Sequence, residues 1–132
     1  MGQTYGAVAA ARLAVVSLAI VAILATVGTA RMRIITVKRL REYARRHPTI
    51  ASTLDHWTEL IDQGEFANLI ELRRALPTAD QVTVKSGRTV TIFNVTNHYR
   101  LITAIHYNHQ LVFILLLLTH NEYDQGHWKK NL

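Results

Sequence analysis

"HYRLITAIHYNHQLVFILLLLTH", residues 98–120, contains two strands and the turn that joins them. Along 98–108 a period of two places His98, Arg100, Ile102, Ala104, His106 and Asn108 on one side. Tyr99, Leu101, Thr103, Ile105 and Tyr107 fall on the other and read as core. A sheet face that carries both Arg and His is not dry unless each is paired, so the first side reads as a groove. Asn108-His109 predicts a tight turn. Leu111–Leu118 then runs apolar without a break, which predicts a strand covered on both faces and therefore interior to its sheet.

Upstream, "QVTVKSGRTVTIFNV" (81–95) alternates around Ser86-Gly87 and predicts a hairpin. Before it the period lengthens. Arg33–Val37 predicts a short strand. A helix from Lys38 follows, with Val37, Leu40 and Ala44 inward and Lys38, Arg39, Arg41, Arg45 and Arg46 on its other faces, stopping at His47-Pro48. Thr49 is expected to cap a second helix with Ile50, Leu54, Trp57 and Ile61 inward, ending near Gly64. A third, shorter helix is expected over Ala67–Leu76, with Leu69, Leu72 and Ala75 or Leu76 inward. The order is strand, two or three helices, four strands and a polar tail, an α+β pattern in which the helices pack on a mostly antiparallel sheet.

The chain has 132 residues, no cysteine and a net charge of +6. A disulfide framework and cysteine metal sites are thereby excluded. Residues 1–31 hold Arg12 and Arg31 and no acid, so 13 basic against 9 acidic residues leave +4 on 32–132. That excess suits a polyanion. Residues 13–30, "LAVVSLAIVAILATVGTA", carry no charge and as a helix would span roughly 27 Å, close to a bilayer's hydrocarbon thickness. Two readings stay open for the leader 1–31: a membrane or signal segment that adds an apolar N-terminal helix, or an over-extended start, with translation beginning at Met32.

The tail supplies proton-handling groups: His120, Glu122, Tyr123, Asp124, His127, Trp128, Lys129 and Lys130. Histidine exchanges protons near neutral pH, tyrosine passes a proton or stacks on a base, and arginine clamps a phosphate. Those three suffice to cleave RNA without a metal. A base takes the 2′-OH proton, the 2′ oxygen attacks phosphorus and an acid protonates the departing 5′ oxygen. His120, Glu122 and Asp124 lack metal-ligand spacing, and no cofactor is expected. Lys38, Arg41 and Arg45 on the basic helix, with Lys129 and Lys130, are the expected backbone contacts. The same arginine run also suits a solvated face or an acidic partner segment. Trp128 is expected to pack the tail down.

In this order, "LPTAD" (76–80), "FNVTNHYRLI" (93–102), "AIHYN" (104–108) and "THNEYDQGHWK" (119–129) resemble the HigB toxins, a RelE-like branch of type II toxin–antitoxin systems. "MRIITVKRLREYARRHP" from Met32 is similar to the family's first strand and helix. The resemblance spans 32–132 and implies a RelE-like fold with a twisted antiparallel sheet. It also implies a cytoplasmic, ribosome-dependent mRNA endonuclease restrained by a HigA antitoxin with a helix-turn-helix domain. Carried onto this chain, it implies Arg100 as phosphate clamp and His120 and Tyr123 as proton-transfer or base-contacting residues, with His106 and Lys129 as weaker choices. Three departures stand out: Val95-Thr96-Asn97 is one residue short of the pattern, Leu115 replaces a basic residue, and the leader has no counterpart. Two alternatives follow from them. One is a catalytically weakened homologue that binds RNA or antitoxin. The other is a membrane-anchored interaction protein, should 13–30 be expressed.

Overall fold

The computed structural model describes residues 31–132, so the expected apolar helix over 13–30 lies outside the described residues. In chain order the elements are β1 (Arg33–Ile34), α1 (Val37–Arg46), a 3₁₀ turn (Pro48–Ile50), α2 (Ala51–Gln63) and α3 (Leu69–Ala75). Then come β2 (Asp80–Thr83), β3 (Thr89–Thr96), β4 (Tyr99–His106), a 3₁₀ turn (Tyr107–His109), β5 (Leu111–Thr119), α4 (His120–Gln125) and a final 3₁₀ turn (His127–Lys130). One five-stranded sheet runs β1-β5-β4-β3-β2, with β1 parallel to β5 and every other pairing antiparallel. The α+β architecture is that of a RelE-like fold.

The sheet separates two apolar clusters. On one face, called here the helical face, Leu40, Ile50, Leu54, Trp57, Ile61 and Leu72 pack on Phe93, Val95, Leu101, Val112 and Ile114. The spacing of Leu54, Trp57 and Ile61 gives α2 one apolar stripe, as its sequence requires. The other face, the tail face, is smaller: Val84, Val90, Ile92, Ile102 and Leu118 are covered at one end by Trp128. The buried Thr103 hydroxyl is satisfied by the Thr91 carbonyl at 2.9 Å.

A bulge decides which residues of β5 reach which face. Ile102 pairs with Leu116 but Thr103 pairs with Ile114, so Leu115 is an extra residue on β5. Val112, Ile114 and Leu117 serve the helical cluster, whereas Leu115, Leu116 and Leu118 serve the tail cluster. The expectation of a strand covered on both faces is corrected accordingly. β5 is interior, but Phe113, Leu115 and Leu116 are only half-buried, because the tail reaches one end of its face.

Other boundaries shift for identifiable reasons. The first strand ends at Ile34 rather than Val37: the Ile114 amide is taken by the Thr36 hydroxyl at 2.6 Å, a side chain standing where a strand carbonyl would continue the ladder. Beyond that point α1 lies along the edge of β5. Arg39, expected on the outward basic face, turns its guanidinium onto the Ile114 and Leu115 carbonyls at 2.9 and 3.1 Å. Thr49 does not cap α2. It sits inside the 3₁₀ turn, and Ile50 occupies the cap position with no side-chain bond. Ala75 is exposed and Leu76 half-buried, so α3 points Leu72 inward. The β4–β5 turn closes not on Asn108-His109 alone but on Gln110, left-handed at φ 53°. Its side-chain amide bonds Tyr107 and Phe66 carbonyls and the Phe66 amide, tying the α2–α3 loop to the sheet. In that loop a β-carbon at Gly64 would run into the Phe66 ring, which would have to shift. Among the described residues no helix is long and apolar enough to cross a membrane.

The two faces differ in what a truncation removes. Leu101→Ala, in the dry helical core, is expected to destabilise by about 2–5 kcal/mol. Leu115→Ala, half-exposed on the tail face, is expected to cost less than about 1.5 kcal/mol. Urea unfolding of the two variants checks this; equal losses would contradict the assignment of faces.

Candidate active site

The β3–β4 hairpin is tight, Thr96 pairing with Tyr99 so that only Asn97 and His98 lie between. The His98 amide donates to the Thr96 hydroxyl at 3.1 Å and its carbonyl accepts from the His120 amide at 2.7 Å. The second bond carries the β4–β5 ladder one residue past Thr119. There the chain turns into α4 through a capping box. The Glu122 amide donates to the Thr119 hydroxyl at 3.2 Å, and Glu122 Oε1 accepts from the Thr119 amide at 2.9 Å. His120, the first residue of α4, is thereby folded back toward β4.

What it meets there is Arg100. The Arg100 Nη2 lies 3.1 Å from His120 Nδ1, while Nη1 donates to the Thr96 and Tyr99 carbonyls at 2.9 and 3.1 Å. None of its direct partners is an anion, so the positive charge is oriented without being cancelled. On the other side of the imidazole, His120 Nε2 lies 3.0 Å from Asp124 Oδ2, one turn along α4. An open recess of about 270 Å³ beside the pair is lined by His98, Tyr99, Thr119, His120 and Asn121.

Tyr123 shares this end of the sheet. Its ring stacks on Trp128 at 5.6 Å and 21°, and its carbonyl accepts from Trp128 Nε1 at 3.1 Å. Burial lifts the phenol above its ordinary value near 10; Asp80 pushes the same way, Arg100 opposes, and Asp124 adds a smaller upward push. At neutral pH it is a proton donor. Gly126, left-handed at φ 75°, ends α4 and turns the chain so that Trp128 returns to the sheet as expected.

Of the residues singled out in the sequence, Arg100 and His120 come into contact, and Tyr123 lies near enough for the Arg100 charge to act on its phenol. His106 does not. It shares the face of Arg100 but lies six residues along β4, roughly 20 Å away. There it stands edge-on to Phe113 at 5.4 Å, in a second recess of about 220 Å³ with Arg88, Ala104 and Leu115. Lys38, Arg41 and Arg45 are exposed on α1 at increasing proximity to the site. The helix axis follows β5 from Thr36 near Ile114 to the Tyr43 phenol at the Leu117 backbone, and His47 Nδ1 then meets the Tyr99 hydroxyl at 3.2 Å. Arg45 and Arg46 therefore stand at the active end and Lys38 at the far one. Lys129 is half-buried, its ammonium 5.8 Å from the Trp128 ring and its carbonyl accepting from the Lys85 amide at 3.0 Å; Lys130 is exposed. Among the described residues no group of three or more acidic or histidine side chains is arranged to hold a metal ion.

Asp124 and His98 were visible in the sequence without an assigned place. The signal for Asp124 was available: Thr119-x-x-Glu122 is a capping box, and the helix it starts sets His120 and Asp124 at i, i+4. The signal for His98 lies only in the tightness of the hairpin.

The family model described as HigB_toxin, RelE-like toxic component of a toxin-antitoxin system, matches residues 50–126. The matched span runs from α2 through α4 and contains Arg100, His120, Tyr123 and Asp124. Comparison with curated proteins gives no match.

Because burial raises the Tyr123 phenol in the folded state, its contribution to stability is full below the unfolded value near 10 and is lost as pH rises through the folded one. Subtracting the alkaline absorbance titration of a Tyr123→Phe variant from that of the parent is expected to show a phenolate forming at higher pH than a free tyrosine. A difference curve at or below the free value would contradict the burial argument.

Proposed function

Since the chain belongs to the HigB toxin family, the RelE-like toxic component of a toxin–antitoxin system, we propose that it acts as a metal-independent endoribonuclease on mRNA held in the ribosome. The observation that carries this reading is the 3.1 Å approach of the Arg100 guanidinium to the His120 imidazole. A cation with uncancelled charge beside a proton acceptor matches what one phosphodiester needs. Arg100 binds the non-bridging oxygens and stabilises the charge that builds on phosphorus. His120 Nδ1 takes the 2′-OH proton, and the 2′ oxygen attacks phosphorus. The bond to the 5′ oxygen breaks, leaving a 2′,3′-cyclic phosphate. Tyr123, which holds its proton at neutral pH, supplies it to the departing oxygen.

The shallowness of the site supports the dependence on the ribosome. The recess beside the pair, about 270 Å³, is below the size that encloses a drug-sized ligand. A substrate presented already extended and immobilised needs no such enclosure. Arg45, Arg41 and Lys38 along α1, with Lys129 and Lys130 on the tail, provide flanking backbone attraction. His106 has no part in the chemical step. The family's toxin role implies an antitoxin, and a HigA-type helix-turn-helix protein is the partner proposed. It would keep the toxin inactive in the cytoplasm by covering these cations.

Induced expression of the full chain is expected to arrest growth and leave translated mRNA cleaved, with new ends mapped inside reading frames. Arg100→Ala and His120→Ala are each expected to lower cleavage by about 10²-fold or more. Retention of the Tyr123–Trp128 near-ultraviolet signal would show that they remain folded. Intact transcripts in arrested cells would replace the nuclease with a binding module. Full activity in both variants would remove the pair from the chemistry.

A further inference from the structure

The His120 ring is held from both sides by groups of opposite hydrogen-bonding character. A guanidinium has only donors and a carboxylate only acceptors, whereas a neutral imidazole carries one donor and one acceptor. Only one tautomer satisfies both contacts: Nδ1 bare toward Arg100 Nη2 at 3.1 Å, and Nε2–H toward Asp124 Oδ2 at 3.0 Å. The other tautomer would set N–H against N–H on one side and lone pair against lone pair on the other.

We propose that Asp124 is a positioning residue that fixes the Nε2–H tautomer of His120, so that Nδ1 is the proton-accepting atom, and that Arg100 masks that atom until a phosphate draws its guanidinium away. The geometry makes the exchange local. Arg100 Nη1 is anchored on the Thr96 and Tyr99 carbonyls, so only the Nη2 edge needs to trade the imidazole for a phosphate oxygen. The ion that must be clamped is then the one that uncovers the base. Without a phosphate the imidazole is occupied; with one it is free and correctly protonated. The catalytic meaning of this arrangement rests on the nuclease reading above, whereas the tautomer itself does not.

Nitrogen NMR of the full chain with labelled histidine tests it, with His120→Gln identifying the resonances. At a pH where the ring is neutral, the expected spectrum has a protonated Nε2 and a bare, hydrogen-bonded Nδ1. Addition of inorganic phosphate, and then of a non-cleavable 2′-deoxy dinucleotide, is expected to shift the Nδ1 signal toward that of a free acceptor. Asp124→Ala, which removes the acceptor, is expected to weaken the tautomer preference to what Arg100 alone imposes and to lower kcat for mRNA cleavage about 10²-fold with KM unchanged, and Asp124→Glu to recover part of it. A protonated Nδ1 in the parent protein would overturn the proposal, as would full kcat in Asp124→Ala. Should Asp124→Ala not fold, the parent spectrum and the Asp124→Glu variant decide the question by the same criteria. The expected spectrum from a protein that cleaves no RNA would support the hydrogen-bonding assignment and overturn only the nuclease reading.

Discussion

The pairing of β4 with β5 is the constraint from which the rest of the site follows. A strand presents alternate side chains to opposite faces, so a slip of one residue would send Arg100 into the helical core. The register holds Arg100 opposite Leu118. It does so only because Leu115 is bulged. Ile114 and Leu118 are four apart, and strict alternation would put both on the helical face; the extra residue shifts the phase, and Leu118 arrives on the tail face with Arg100. Everything C-terminal to the bulge inherits that phase. The bond from the His120 amide to the His98 carbonyl extends it by one more residue, and the capping box then folds α4 back across the same face. A bulge in an apolar run thus determines which side of the sheet receives the histidine.

The division of labour between faces is electrostatic as much as apolar. The helical face buries hydrocarbon on both sides of the contact; the Thr103 hydroxyl there is bonded to the Thr91 carbonyl, whereas the buried Trp57 Nε1 and Tyr107 hydroxyl have no hydrogen-bond partner among the described residues. The tail face keeps an arginine whose partners are two carbonyls and an imidazole. Carbonyl dipoles orient a guanidinium without removing its charge, whereas a paired carboxylate would have neutralised it. Glu122, the nearest acid by sequence to His120, is consumed by the cap. Asp124 reaches the imidazole rather than the guanidinium. An anion approaching this end of the sheet meets a fixed cation, and the competing carboxylates are engaged elsewhere. Electrostatic stabilisation of a phosphorane requires this preorganisation.

Most of the fold was legible because its signals are local. The alternation in β3 and β4, the apolar stripe of α2 and the Ser86-Gly87 turn each follow from side-chain periodicity alone, and the sharing of one face by Arg100 and His106 is correct. Failures arose where a distant partner replaced a local rule. Thr36 and Arg39 answer to the unpaired edge of β5 rather than to helix capping or solvent, and no spacing within 33–46 announces that. The bulge was hidden because eight consecutive apolar residues carry no phase. The convergence of Arg100 and His120 was an inference from chemistry and resemblance, since their separation along the chain says nothing of distance. His106 shows the limit of face-sharing: the same side of a strand is not the same place on it.

Leu115 bears on how a missing cation would be felt. The resemblance expects a basic residue there, and its absence, together with the short Val95-Thr96-Asn97 hairpin, is what favours a homologue that binds without cutting. The structure sets Leu115 at the bulge beside Ala104, His106, Phe113 and Arg88, in the recess away from His120. Leu118 is the residue facing Arg100, and Leu115 lies three positions further down β5, about 10 Å off at strand rise. A cation at that distance would touch a neighbouring phosphate of an extended strand rather than the scissile one. Its loss removes attraction that ground state and transition state share, a change felt in affinity and not in the chemical step. Arg88 stands in the same recess and supplies positive charge from the neighbouring hairpin. On the proposed nuclease reading, the departure at Leu115 would therefore weigh on how tightly RNA is held and leave the Arg100–His120 pair, where bond breaking is proposed, intact.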